Sequence, residues 1–299
     1  MKRRVLIWGY KVGSHSHAYI NLGFYRAFEY LGYETFWFND NDDVSDFDFK
    51  DCIFLCEGQS CKNIPKRKDC LYICHNCEPM DGIVRRINIQ YLTREWSDSE
   101  EIAQGIKLEG DCVLFPWGAN MLPNEFNEEL LTSKRDKNIY FLGTMSKTGG
   151  NGTYDRISMF ADVASHNGYK MIVGGGYTGN IEDGNISYLD GWISEEDQAK
   201  YLSSGVMSPA IQSDFQLKNG MIPCRLFKSI SYGMIGITNN DFAHSYFQEQ
   251  TIYSTDMEEL FYLAEKELNN LEKKKFLFNF VRENHTYINN INAILKVLL

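Results

Sequence analysis

The chain has 299 residues, of which 43% are hydrophobic and 14% aromatic, and carries a formal net charge of −10. That length suits two domains of roughly 150 residues each, and the apolar content is ample for packed cores. The acidic balance argues against a general nucleic-acid binder, which needs a basic face, and leaves room for one local basic site that holds a nucleotide.

Lys2-Arg3-Arg4 precedes only four apolar residues, Val5-Leu6-Ile7-Trp8. A secretory signal needs an apolar run of about 7–15 residues, so a first β-strand is predicted over 5–8. No stretch approaches the ~20 apolar residues of a membrane span. The chain reads as cytoplasmic with no integral membrane segment, and the sequons at Asn151, Asn185 and Asn284 as accidental. A loop over 9–17 comes next. Ile20, Gly23, Phe24, Ala27, Phe28 and Leu31 then recur at helical spacing, and Gly32 ends that helix. Residues 34–38 form the next strand. Asp51-Cys52-Ile53-Phe54-Leu55, Asp69-Cys70-Leu71-Tyr72-Ile73 and Asp111-Cys112-Val113-Leu114-Phe115 share one pattern, Asp-Cys before three apolar residues. Near-continuous apolar runs fit parallel strands covered on both faces. The first half is therefore a Rossmann-like α/β domain, assigned to residues 1–130.

The polar stretch 124–137 reads as a linker. Alternation restarts in a second α/β domain over 138–283. Strands are predicted at 139–142, 170–173, 206–208 and 236–238. Helices are predicted at 156–165, at 195–202 behind a Ser194/Asp197 start signal, and at 257–268, ending in the solvated run Lys273-Lys274-Lys275. A final helix occupies 284–299. The fold class is thus α/β, with two Rossmann-like domains facing across a cleft where a ligand belongs.

Seven of the eight cysteines fall between Cys52 and Cys112. Cys74-His75-Asn76-Cys77 is a CxxC, but no second CxxC accompanies it and the other spacings are irregular. Cys52/Cys56 and Cys70/Cys74 are each four apart on a strand, so each pair points to one side of a sheet. Buried free thiols are expected, with a zinc site and a disulfide as the competing readings, and no metal is assigned.

The segment 219–238 reads as a polar loop, a short helix and a buried strand. Arg225 and Lys228 are placed on the helix's first turn, with Pro223 before it and Ser229 within it. Cations at a helix N-terminus oppose its dipole, and a bound diphosphate would reverse that sign. Gly174-Gly175-Gly176-Tyr177-Thr178-Gly179 satisfies G-x-G-x-x-G, yet residues 180–185 do not open a helix, as a dinucleotide fingerprint requires; a flexible loop is expected. The loop 147–153, with its glycines, also reads as mobile. His15 and His17 lie just after the first strand, at the edge where open α/β sheets bind ligands, and either could serve as a general base. The competing reading gives them only backbone hydrogen bonds. His75 stands at another strand end and is a second contact candidate, or a satisfied loop histidine. Trp192 could pack beside a nucleobase or within the core. Asp40-Asn41-Asp42-Asp43 reads as a solvated loop without calcium-loop spacing.

Three stretches together resemble the GT-B fold glycosyltransferases. Leu114-Phe115-Pro116-Trp117-Gly118 looks like the strand end closing the first domain. Tyr140-Phe141-Leu142-Gly143-Thr144 looks like the strand and glycine loop opening the second. Residues 223–233 look like the donor-binding helix. The resemblance implies a nucleotide-sugar donor, which is a co-substrate and not a cofactor, held by Arg225, Lys228, Pro223, Ser229, Gly143 and Lys147. It also implies a glycan or small-molecule acceptor, no nucleic-acid partner, and a last helix that packs back on the first domain. The two glutamates that many retaining members carry would fall at Gly220 and Lys228, where neither is present. Arg225-Leu226-Phe227 is closer to the exostosin-like and fucosyltransferase-like inverting enzymes, which implies metal-independent inversion in glycan biosynthesis. A nucleotide-sugar epimerase using Glu57, Glu78 or Glu95, and an inactive sugar or nucleotide binder, are the alternatives.

Overall fold

The computed structural model describes residues 3–11, 16–58, 60–77, 85–94, 111–147, 152–178, 183–189, 191 and 193–298. The chain divides into two compact units. One comprises Met1–Leu92, Trp96–Leu122 and Thr286–Leu299; the other comprises Thr93–Glu95 and Pro123–His285.

The first unit is built on a six-stranded parallel sheet of β1 (Val5–Trp8), β2 (Thr35–Phe38), β3 (Ile53–Glu57), β4 (Leu71–His75), β5 (Arg86–Tyr91) and β6 (Asp111–Phe115), in the order β2-β1-β3-β4-β5-β6. β1, β3 and β4 are buried along their whole length, as their unbroken apolar runs require. The Asp-Cys pairs precede β3 and β4 and open only β6. Asp51 lies in the left-handed region at φ 55°, so it belongs to the turn and not to the ladder. β5 is absent from the sequence reading, because its buried Asn88 and Gln90 interrupt the apolar signal.

Helix α1 (Ser16–Tyr30) buries Ile20, Phe24, Ala27 and Phe28 against the sheet, and Gly32 closes it at φ 77°. The last helix, Tyr287–Leu298, packs against α1 and β6. Tyr287 sets its ring 4.9 Å from that of Phe24. It occupies the notch at Gly23, where a Cβ would stand 2.3 Å from the ring.

The second unit carries the parallel sheet β11-β9-β7-β12, made of β7 (Asp136–Leu142), β9 (Lys170–Gly174), β11 (Ile186–Leu189) and β12 (Gly205–Met207). A parallel bridge between Ala210 and Thr238 joins it to the pair β13 (Ile237–Thr238) and β14 (Ile252–Tyr253). Numbered within the unit, the spatial order is 3-2-1-4-5-6, that of the dinucleotide-type Rossmann sheet. The helices are α2 (Tyr154–His166), α3 (Glu195–Ser204), α4 (Asp214–Asn219), α5 (Cys224–Ser231), α6 (Asp241–Tyr246), α7 (Met257–Glu267) and α8 (Leu271–Asn284).

Three sequence expectations need correction, and two short helices escape the sequence reading. Residues 123–130 pack with the second unit: Phe126 meets Phe278 with ring centroids 5.4 Å apart, and Glu128 pairs with Arg282 at 2.8 Å. The stretch 124–137 is therefore no free linker. Lys273-Lys274-Lys275 does not end α7; it lies in α8, where Lys274 is buried with Leu277, Phe278 and Val281, its stem covering apolar surface. α4 and α6, of six residues each, are too short to show a periodicity. Asp40 is no idle solvated acid: its carboxylate accepts from Trp8 Nε1 at 2.7 Å and from the backbone N–H groups of Lys62 and Asn63.

Candidate functional site

In each unit, ligand chemistry is expected outside the carboxyl ends of the strands where the strand order reverses. In the second unit that point lies between β7 and β12, and Arg225 stands there. α5 opens at Pro223, whose extended backbone (φ −74°, ψ 139°) supplies no side-chain cap. From the first turn, Arg225 Nε donates to the Leu142 carbonyl at the end of β7 at 3.0 Å. Its Nη1 reaches the Ile211 carbonyl at 3.5 Å, beyond the end of β12. The guanidinium lies 3.7 Å over the Phe141 ring. Burial lowers its pKa to about 10, which leaves it charged at neutral pH. Among the described residues no carboxylate pairs with it.

Gly143 makes room for that seat, since a Cβ there would lie 2.0 Å from Arg225 Nη2. The Gly143 and Met145 amides donate to the Gly174 and Gly176 carbonyls at 2.8 Å each, zipping the two strand-end loops together. Gly175 sits at φ +122°, with its backbone against that of Gly143, a conformation only glycine adopts without strain. Through Thr178 the G-x-G-x-x-G segment forms the short strand β10 (Tyr177–Thr178), paired in parallel to β8 (Met145–Ser146). Lys147 continues from this strand, its Nζ 4.5 Å over the Tyr154 ring.

Lys228 and Ser229 are placed differently from the sequence reading. Lys228 is one turn beyond the helix start and buried. Its ammonium pairs with Glu195 at 3.4 Å and with Gln198 Oε1 at 2.5 Å. Burial lowers its pKa, and Glu195 opposes that shift. Ser229 is fully buried, and its hydroxyl donates to the Leu226 carbonyl at 3.0 Å. Lys228 ties α5 to α3, while Ser229 bonds back within α5 itself.

Sequence reasoning misses the amides behind the site. Asn239 exchanges two bonds with the Gln212 backbone, at 2.9 and 3.1 Å. Asn240 Nδ2 and Gln212 Nε2 both donate to the Met221 carbonyl, at 2.7 and 3.0 Å. Asn240 also caps α6. These buried groups fix the segment entering α5, and satisfied networks of this kind rigidify. The Asn-Asn-Asp run after a strand is the available signal, a cap signature.

In the first unit the strand order reverses between β1 and β3. There Gly9 (φ 97°) and Tyr10 (φ 47°) turn the chain sharply. Asn21 Nδ2 and Trp37 Nε1 both donate to the Gly9 carbonyl at 2.9 Å. His17, on the first turn of α1, has its ring centroid 5.5 Å from that of Tyr10 and 5.2 Å from that of His75. Trp117 meets His75 edge-on at 5.0 Å, and Tyr91 lies 6.1 Å away. Glu57 pairs in register with His75 across β3 and β4.

His75 is buried, and its Nδ1 donates to the Ile89 carbonyl at 3.0 Å. Its Nε2 then accepts from Asn76 Nδ2 at 3.1 Å. Asn76 Oδ1 in turn accepts from Gln90. Desolvation lowers the His75 pKa to about 4, so it is a neutral imidazole locked in one tautomer. His15, Trp192, Glu78 and Glu95 lie outside the described residues.

Two parallel sheets, each with its strand-order reversal at a glycine-rich turn, define the two-domain Rossmann-like fold of the GT-B glycosyltransferases. An alpha-glucosyltransferase in complex with UDP matches with a TM-score of 0.60 at 10% identity, covering 99% of this chain and 100% of its own. A trehalose-6-phosphate structure from E. coli bound with UDP-2-fluoro glucose matches at 0.58 with 8% identity over 98% of both chains. The spinosyn forosaminyltransferase SpnP matches at 0.51 with 9% identity over 100% of both. No family model matches the sequence, and no curated protein does. At these identities the likeness is one of fold.

Proposed function

We propose that the protein is a glycosyltransferase that moves a sugar from a UDP-sugar to a hydroxyl of a glycan or small-molecule acceptor. The observation that carries this reading is Arg225: a half-buried cation, seated on two strand-end carbonyls and an aromatic face at the strand-order reversal. A diphosphate placed there would gain charge-assisted bonds in a site where water competes weakly. The fold neighbours with bound UDP support the uridine assignment.

In the reaction, the acceptor oxygen attacks C1 of the sugar. The bond from C1 to the phosphate oxygen breaks, and UDP leaves with the electron pair. Arg225 and the N–H groups opening α5 stabilise the charge growing on that oxygen, Lys147 adds a contact, and no metal is required. Lys228 is a positioning residue that holds α5 against α3 through Glu195 and Gln198. The acceptor's proton passes to His17, with His15 as the alternative base; His75, with both ring nitrogens bonded, orients the His17 ring. Inversion is part of the proposal, since neither Gly220 nor Lys228 supplies a carboxylate.

Calorimetry with UDP tests the donor site. Arg225→Ala is expected to weaken binding about 10- to 100-fold, the cost of one or two bonds to a charged group. Unchanged affinity would overturn the assignment. Turnover of UDP-sugars tests the rest: wild-type rates in a His15→Ala/His17→Ala variant would remove the base, and a product that keeps the donor's anomeric configuration would remove inversion. Release of an epimer without acceptor would favour the epimerase reading, for which Glu57 is the described carboxylate. UDP binding with no turnover across many acceptors would favour a non-catalytic binder.

A further inference from the structure

We propose that Cys56, Cys61, Cys74 and Cys77 together bind one zinc ion beneath the carboxyl edge of the first unit's sheet. This rests on geometry independent of the donor site. The sulfurs of Cys56 and Cys74 are 3.7 Å apart, those of Cys56 and Cys77 3.8 Å, and those of Cys61 and Cys77 3.9 Å. A tetrahedral site with zinc–sulfur bonds of about 2.3 Å has edges of about 3.8 Å. The sulfurs of Cys56, Cys74 and Cys77 all lie within 4.8 Å of one another; Cys61 meets this trio through Cys77 and would close on the ion as the fourth ligand. All four residues are buried.

The spacing fits as well. Read as one set, the four form C-x4-C and then C-x2-C, two close pairs of the kind that closed structural zinc sites use. Cys56 and Cys74 are register partners on β3 and β4. Asn76, at φ 49°, folds Cys77 back over them. A Cβ on Gly58 would stand 1.9 Å from the Asn76 carbonyl oxygen, so only glycine lets the two turns cross. Asp40 pins the Cys61 turn through the amides of Lys62 and Asn63.

Arg86 supplies nearby positive charge. It donates to the Cys77 carbonyl at 2.5 Å. Cys52 and Cys70 serve as internal controls. They are equally buried in the same core, yet their thiols are turned to the Lys50 and Phe49 carbonyls.

Binding exchanges four S–H protons for one divalent cation, and nothing is oxidised or reduced. The ion would lock the turn through His75 and Asn76, and with it the imidazole network of the first unit's site.

The test is metal analysis of the full chain expressed with zinc in the medium. One zinc per chain is expected, released in step with modification of four thiols. Cys74→Ser and Cys77→Ser are expected to lose it, while Cys52→Ser and Cys70→Ser keep it. Because the first two variants can fail to fold, cobalt titration of chelator-treated wild-type protein provides a second measurement, with the thiolate charge-transfer and tetrahedral d–d bands expected at one equivalent. Folded protein that holds no zinc and takes up no cobalt would overturn the proposal. So would a disulfide among the four cysteines in protein kept under reducing conditions, or iron as the ion bound by cells grown with both metals.

Discussion

Arg225 keeps its seat on the Leu142 carbonyl only because residue 143 has no side chain. A methyl group there would stand 2.0 Å from Nη2, closer than real Cβ contacts come, and the guanidinium would have to leave the Leu142 carbonyl. Gly143→Ala is therefore expected to lower UDP affinity about 10-fold or more, one charge-assisted bond's worth, with little change in melting temperature. Gly184→Ala is the control, since a Cβ there meets nothing within 4 Å. Equal affinities for the two variants would show that the guanidinium's seat does not matter. At this scale the sequence is partly legible. Arg225 stands out because a cation opposes the dipole at a helix start. Lys228 stands out for the same reason and is misplaced by it, because its partners Glu195 and Gln198 lie about thirty positions upstream and no local pattern announces them.

Elements in the second unit are held by a residue that sequence reading assigns to a linker. Arg135 donates through Nη1 to the Leu202 and Gly205 carbonyls at 2.8 and 2.9 Å. Through Nη2 it donates to those of Leu130 and Tyr232 at 2.9 and 2.5 Å. One guanidinium thus gathers the C-terminal carbonyls of α3 and α5, where a cation is favoured by both dipoles. Arg135→Met keeps the stem and removes these bonds, leaving buried carbonyls unsatisfied. A loss of at least ~3 kcal/mol in urea unfolding is expected, together with weaker UDP binding, because α5 carries Arg225. A loss below ~1 kcal/mol, the scale of a surface pair, would mean that the carbonyls find water instead. Strands with unbroken apolar runs are readable, since burial on both faces leaves no other composition. β5 is not, because its buried Asn88 and Gln90 are bonded to Arg86 and Asn76, partners a periodicity count does not see.

For the whole molecule, the two-domain α/β class comes from alternation alone, while the strand orders that place the sites are long-range pairings with no local signature. Global stability offers a measurement at this scale through His285. Its ring sits among Phe227, Tyr246, Phe247 and Phe280, with centroids 4.8–6.4 Å away. Among the described residues nothing hydrogen-bonds its Nε2. Burial lowers its pKa from 6.5 to about 4. Between those values the unfolded chain binds a proton that the folded chain refuses, so stability is full above pH 6.5 and falls as the solution is acidified toward pH 4. The slope from this one group is about 1.4 kcal/mol per pH unit, or about 2 kcal/mol between pH 6.5 and pH 5. The aromatic surroundings accept a ring of similar size without a proton site, so His285→Phe is expected to remove that share of the slope while leaving stability at pH 7.5 within about 1.5 kcal/mol of wild type. Urea midpoints for both proteins at pH 7.5 and pH 5 decide the matter. Parallel losses in the two would mean that His285 takes up its proton in the folded chain, and that the acid sensitivity belongs to the carboxylates.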